Sequence, residues 1–509
     1  MADAEARERR PNILHILSDQ HTASVLGCYG DPIVATPNLD RLATEGALFR
    51  HLYVPSPLCT PSRMSLLTGL HPHETRVWTN EDALSPSIPT MAHALGAGGY
   101  RTHLAGRLHS IGPDQLLGYG SRSVGDHSPN HPGLPPADLG VLTGAAAPGL
   151  ESLQKAGSGL SGYQVHDEVV TADAVGLLHR AGAAARLGLQ TEPFALTVGY
   201  MLPHQPYVAP RELYERYYDT LPAPTRGWSD PPHPYLSSWR AATGLTAVTL
   251  EQVRRARAAY WALVERLDGM VGELLRVLEE TGLAGDTVVV YTSDHGDSLG
   301  EHGLWWKQNF HEEAVTAPCI VRWPGVIPGG MRVENVVSGL DLTATILAIA
   351  GAPALPGGHG RDLLQLLDGD GADRWQDVAF SEMCFDPRRA TASATGYSWP
   401  QRYLRDGVLQ RMVRRGDWKL IHYHGDRPQL FNLREDPGEL ADRAQDPSLS
   451  GVVAELTASV LDGWDPERIR HEVLELGTGR RQLLSDWAEL TQPEERLRWT
   501  LRSSHNRLD

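Results

Sequence analysis

Residues 12–18, NILHILS, form a short apolar run that stops at the polar pair Asp19-Gln20. That is the pattern of a buried parallel strand delivering polar side chains at its carboxyl end. Downstream, in TPNLDRLATEGALF, Thr36 precedes Pro37, and Leu39, Leu42 and Ala43 follow with helical spacing, so a helix is predicted to start there. The order recurs mid-chain. Residues 250–283 read as one long amphipathic helix, and TVVVYTS at 287–293 as a strand ending at Asp294-His295. The repetition predicts an α/β fold in which a large, mostly parallel sheet is sandwiched by helices, with functional residues converging at the strands' carboxyl ends.

Two stretches, 112–165 and 203–245, are rich in Gly, Pro, Ser or His and weak in periodicity, and they read as long surface excursions of the kind that wall an active site. The segment 354–377 reads as the exit from the large domain. After it, VLQRMVRRGDWKLIHYH and QLFNLREDPGE predict strands and a turn. The expected organisation is a catalytic domain over residues 1–375 and a smaller C-terminal α+β domain, with an antiparallel sheet and closing helices, over 376–509.

A chain of 509 residues can bury a sizeable core, and its 41% hydrophobic and 21% charged content is ordinary for a globular enzyme. The formal net charge of −16 argues against a nucleic-acid partner, which requires a basic footprint. MADAEARERRPNILHIL lacks the length and flanks of a signal peptide. No apolar run approaches the roughly 20 residues needed to cross a bilayer. Cys28, Cys59, Cys319 and Cys384 are too few and scattered for a disulfide framework. A cytoplasmic protein without a membrane anchor is the expectation.

The most informative segment is Pro57-Leu58-Cys59-Thr60-Pro61-Ser62-Arg63. Thr60 can cap a helix and Pro61 suits its first turn, which would set Cys59 just before a helix N-terminus, where free amides and the helix dipole favour an oxyanion. Arg63, one turn in, would orient the nucleophile or hold charge. A lone cysteine is more often a small buried residue. A thiolate phosphatase would want a longer phosphate-cradling loop than the three residues between Cys59 and Arg63.

Cys-Thr-Pro-Ser-Arg resembles the Cys-X-Pro-X-Arg sequence of the sulfatase family, in the alkaline phosphatase superfamily, whose cysteine is oxidised to formylglycine. PNILHILSDQ, TPNLDRLATEGALF, GYRTHLAGRLH, PHQPY and TSDHGDSLGEHGLWWK accompany it in the family's order. The likeness spans most of residues 11–345, and QLFNLREDPGE resembles the family's C-terminal domain. An alkaline-phosphatase-like fold is therefore implied.

The resemblance implies metal ligation by Asp19, Gln20, Asp294 and His295 together with modified Cys59. That donor set suits Ca²⁺, Mg²⁺ or Mn²⁺, the imidazole tilting toward Mn²⁺. Gln20 and His295 replace oxygens common in the family, and resemble the choline sulfatase and phosphonate monoester hydrolase branch. The aldehyde hydrate would supply one hydroxyl to attack sulfur or phosphorus and a second to expel the product. By the same resemblance Asp294 is a base toward the hydrate, His109 assists elimination, and His204 and Lys307 bind ester oxygens and help protonate the leaving group. Arg107 stands where sulfatases commonly carry Lys and would grip ester oxygens through a planar fork. Asn80 falls where the phosphonate branch has a substrate-contacting asparagine, or else caps the helix that follows it. Trp305-Trp306 would form an aromatic wall for a cation or ring, or core.

The implied activity is hydrolysis of a sulfate monoester to an alcohol or phenol and inorganic sulfate. The alternatives are a phosphonate monoester or phosphodiester hydrolase, and a catalytically silent binding protein. The implied partners are the small ester, a formylglycine-generating maturation enzyme, and further copies of the chain in a homodimer or homotetramer.

Overall fold

The computed structural model describes residues 10–189, 192–226, 233–367, 369–390 and 397–509. The first nine residues of the expected leader-free N-terminus and residues 227–232 of the second excursion lie outside the described residues.

The first apolar run is strand β1 (Asn12–Asp19), buried along its whole length. Helix α1 (Pro37–Thr44) follows with Thr36 at its N-cap and buries Leu39, Leu42 and Ala43, as their spacing requires. It leads to β2 (Ala47–Tyr53) and to α2 (Cys59–Thr68), all of whose residues are buried. Next come β3 (Arg101–Gly106), β4 (Ser121–Arg122), α3 (Gly162–Arg186) and β5 (Phe194–Pro203). The long helix α4 (Leu250–Thr281) opens with a capping box, Thr249 accepting from the Gln252 N–H, and stops at Gly282 in the left-handed region. It feeds β6 (Thr287–Ser293), then β7 (Thr316–Ala317), β8 (Cys319–Arg322), β9 (Met331–Ser338) and helix α5 (Gly339–Ala350).

These strands make one nine-stranded sheet in the order β9-β2-β8-β6-β1-β5-β3-β4, with β7 on β2. The β6-β1-β5-β3-β4 half is parallel, while β8 runs antiparallel to both neighbours. Alternate residues of the central strands enter opposite cores. Leu14, Ile16, Val289 and Tyr291 pack toward α3 and α4, whereas Ile13, Val288 and Val290 pack toward α5. Burial on both faces explains why these strands read as continuous apolar runs.

A second sheet, wholly antiparallel, joins β10 (Val378–Phe385), β11 (Val408–Arg415), β12 (Trp418–Tyr423) and β13 (Gln429–Asn432) in that order. Helix α6 (Ser450–Leu461) covers one face through Leu456 and Val460, and α7 (Gly477–Thr491) follows. The fold is thus α/β, a large and mostly parallel sheet with helices plus a C-terminal domain built on a small antiparallel sheet. Among the described residues no helix is long and apolar enough to cross a membrane.

The excursions differ from their expected surface character. In 112–165, Asp126, Leu142, Ala145, Leu153 and Ala156 are buried. The C-terminal tail clamps this segment: the Trp499 N–H donates to Asp126 O at 2.8 Å and Arg498 Nε to His127 O at 3.1 Å. The second excursion contains helices Arg211–Tyr218 and Pro234–Thr243. Long-range partners, not local periodicity, hold both in place.

Candidate active site

Register explains why the polar residues meet. Ser18 of β1 pairs with Ser293 of β6, so Asp19 and Asp294 emerge side by side. On the other flank Asp19 pairs with Pro203 of β5, bringing His204 to the same edge. Gly106 of β3 pairs with Gly199 of β5, which sets Arg107 and His109 next in line. Four adjacent strands therefore present the predicted residues at their carboxyl ends, and α2 brings Cys59 to the centre.

Cys59 is the first residue of α2, with Leu58 at the N-cap. Thr60 is therefore not the cap: its hydroxyl donates to the His109 carbonyl at 3.3 Å, and its N–H is met by Asn80 Oδ1 at 2.9 Å. Asn80 thus satisfies a free amide of the helix that carries Cys59. The Cys59 Sγ lies 3.1 Å from His295 Nε2 and 3.8 Å from Asp19 Oδ1. Asp19, Cys59, Asp294 and His295 each offer a donor atom, all within 4.8 Å of one another, and all four are buried.

Arg63 underpins the cluster. Its Nε donates to Asp294 Oδ2 at 2.7 Å and its Nη2 to Asp19 Oδ2 at 3.2 Å, with no exposure of any partner. Arg107 Nε also donates to Asp19 Oδ2. Burial alone would push the Asp19 carboxyl up, but the charges of Arg107, Arg63 and Lys307 hold it well below the usual carboxylate range. Burial and the Lys307 charge lower His295 despite Asp294, so its imidazole is neutral. With Nδ1–H donated to the Gly296 carbonyl at 3.1 Å, the Nε2 lone pair faces the cluster. Two carboxylates, a neutral imidazole and the Cys59 side chain form a donor set that fits a divalent ion, with the thiol standing where the formylglycine oxygens would be.

The remaining predicted residues form the surrounding wall. Gln20 receives Lys307 Nζ on Oε1 and donates Nε2 to Gln205 Oε1 at 2.7 Å and Asp297 Oδ2 at 2.6 Å. Lys307 Nζ also donates to His204 Nε2 at 2.9 Å, while His204 Nδ1–H goes to Gln205 O at 2.5 Å. Burial and then Lys307 hold His204 well below its ordinary value, so it is neutral. His109, held at φ 56°, accepts Arg107 Nη2 on Nδ1 at 2.8 Å. Arg107 was expected at the ester oxygens, yet its fork is taken up by Asp19, His109 and, at 3.2 Å, Asp126. Trp305 and Trp306 are fully buried, and Trp306 Nε1 donates to Ser152 Oγ at 3.1 Å. They are part of the hydrophobic core.

Two buried acids were missed. Asp297 accepts Tyr207 Oη at 2.6 Å and the Trp306 N–H at 2.8 Å. It stands three residues after Asp294 in SDHGD, so the motif itself carried a signal. Asp126 accepts the His109 N–H at 2.8 Å as well as Arg107, and nothing in its aperiodic segment marked it. Beside α2 opens a cavity of about 210 Å³ lined by Leu58, Asn80, Trp239, Gln308, Phe385 and Asp386 among others.

A buried cluster of arginine-stabilised carboxylates and an imidazole at the carboxyl edge of a mostly parallel sheet, with a cysteine on a helix N-terminus, is the arrangement of an ester hydrolase. The Sulfatase family model matches residues 11–352, and that of the N-sulphoglucosamine sulphohydrolase C-terminal region matches 300–463. The chain belongs to the sulfatase family, hydrolases of sulfate esters. It is 33% identical to the choline-sulfatase of Rhizobium meliloti (strain 1021) over 470 residues, covering 88% of this chain and 85% of that one. It is 30% identical to arylsulfatase K of Danio rerio, covering 89% and 84%. The crystal structure of the phosphonate monoester hydrolase of Agrobacterium radiobacter superposes with a TM-score of 0.68 at 23% identity, covering 91% and 96%, a likeness of fold.

Proposed function

We propose that the chain hydrolyses small sulfate monoesters using a formylglycine made from Cys59 and one divalent metal ion held by Asp19, Asp294, His295 and residue 59, with the Gln20 amide oxygen beside them. The observation that carries this reading is the position of Cys59, first residue of a buried helix with its Sγ 3.1 Å from His295 Nε2 inside the donor cluster. A cysteine kept only for packing has no need of such company. When bound, the ion would polarise an ester oxygen and raise the acidity of the residue-59 hydrate.

The chain's own groups account for the rest. The α2 N-terminus and Arg63 supply fixed positive potential under the developing charge. His109 stands by residue 59 with Nδ1 accepting from Arg107, so its Nε2–H is the donor left to hydrogen-bond the oxygens of residue 59 and assist product expulsion. The Lys307 ammonium, shared between Gln20 and His204, is the proton donor best placed for the departing alcohol. Trp239 and Phe385 in the adjoining cavity would take the alcohol or phenol portion. Because Cys59 is 1% exposed, its conversion would precede folding and require a separate maturation enzyme.

The test is turnover of paired aryl sulfate and aryl phosphonate monoesters by chain co-expressed with such an enzyme. Preferential sulfate release supports the reading. Preference for the phosphonate would move the assignment to phosphonate ester hydrolysis on the same groups.

A further inference from the structure

The loop that delivers Lys307 carries a second nitrogen-rich cluster on its outer side. His302 and His311 bracket that loop and stack with ring centroids 3.9 Å apart and planes 14° from parallel. Glu439, from the turn after β13 in the C-terminal domain, joins them, and one donor atom from each of the three lies within 4.8 Å of the others. His302 Nε2 and His311 Nδ1 are buried and make no hydrogen bond among the described residues. His311 is 4% exposed, and its Nδ1 stands 3.3 Å from Glu439 Oε2, outside hydrogen-bonding geometry.

Unpaired imidazole nitrogens are costly in a protein interior. Two of them within 4.8 Å of one carboxylate oxygen supply the donor types of a nitrogen-rich transition-metal site, on which they would converge once one ring turns out of the stack. Tetrahedral zinc with bonds of about 2.0–2.1 Å separates its donors by about 3.3 Å, the spacing His311 and Glu439 already have. Lys419 is the competing cation: its Nζ lies 2.5 Å from Glu439 Oε1 and 2.8 Å from Glu312 Oε1. It engages the other oxygen of Glu439. Oε2 accepts the Glu312 N–H at 2.8 Å and keeps a lone pair toward His311.

We infer that His302, His311 and Glu439 form a second metal site, separate from the catalytic cluster, which takes Zn²⁺ or a similar transition-metal ion with water completing its coordination. An ion there would tie the Lys307 loop to the C-terminal domain. The inference stands independently of the catalytic chemistry proposed above.

The test uses full-length chain stripped of metal and titrated with Zn²⁺ by calorimetry, with bound zinc counted by mass spectrometry. His295→Ala weakens the catalytic cluster, so zinc retained by that variant reports the second site. The expected result is one equivalent retained by His295→Ala, and affinity lowered at least about tenfold to a hundredfold when His311→Phe or Glu439→Gln is added. Zinc should also raise the melting temperature of His295→Ala but not of His295→Ala/His302→Gln, a comparison that survives if His311→Phe folds poorly. No zinc bound by His295→Ala, or binding unaffected by the added substitutions, would overturn the inference.

Discussion

The two walls of the active site are built differently. The wall formed by β1 and β6 holds Asp19, Asp294 and His295 on strand ends fixed by backbone pairing, with Arg63 locking both carboxylates. The opposite wall, of Gln20, His204, Arg107, His109 and Lys307, depends on side-chain relays to Gln205, Asp297 and Asp126. Asp126 itself sits in an aperiodic segment clamped by the C-terminal tail. Strand ends supply a preorganised charge cluster from local sequence. The relay wall is assembled at long range, by side chains from separate segments.

The largest effect should come from the centre common to both walls. Cys59→Ala is expected to lower sulfate-ester turnover by at least about 10⁴-fold in steady-state assays, with near-wild-type melting, because only the nucleophile's source is removed. Asp19→Asn should be nearly as damaging to activity and should also destabilise the chain by about 3–5 kcal/mol in denaturant titration. It leaves the buried Arg63 and Arg107 charges undercompensated. On the relay wall, Asp126→Asn should lower kcat by about 10–100-fold while bound catalytic metal is largely kept, since it loosens Arg107 and His109 but no metal donor. Equal metal loss in Asp19→Asn and Asp126→Asn would erase the distinction between the walls.

The smallest expected effect lies away from both. Glu382 of β10 is fully buried, and burial would raise its carboxyl, but Arg411 and His73 hold it below its ordinary value. Its stabilising contribution is therefore fully present above the unfolded glutamate value of about 4.3 and is lost as pH falls below that toward the folded value. Melting curves across this acid range should be less pH-dependent in Glu382→Gln than in wild type, with activity at neutral pH little changed.

Much of this was legible in the chain. NILHILS-Asp19-Gln20 and TVVVYTS-Asp294-His295 announce buried strands ending in polar pairs, and the order of motifs locates Cys59, His109, His204 and Lys307. What stayed hidden was whatever depends on distant partners. Arg107 reads as a substrate contact until Asp126, His109 and Asp19 are found around its fork. Thr60 reads as a cap until Asn80 is found taking that role from outside the helix. The 112–165 segment reads as surface because its burial comes from contacts such as Trp499 with Asp126, which leave no local periodicity.

The most direct test of the central claim is mass spectrometry of the tryptic peptide running from His51 to Arg63, from chain co-expressed with a formylglycine-generating enzyme, alongside sulfate release by the same preparation. An aldehyde at residue 59 whose occupancy scales with turnover is the predicted result. Full turnover by chain whose Cys59 remains a thiol would contradict the account.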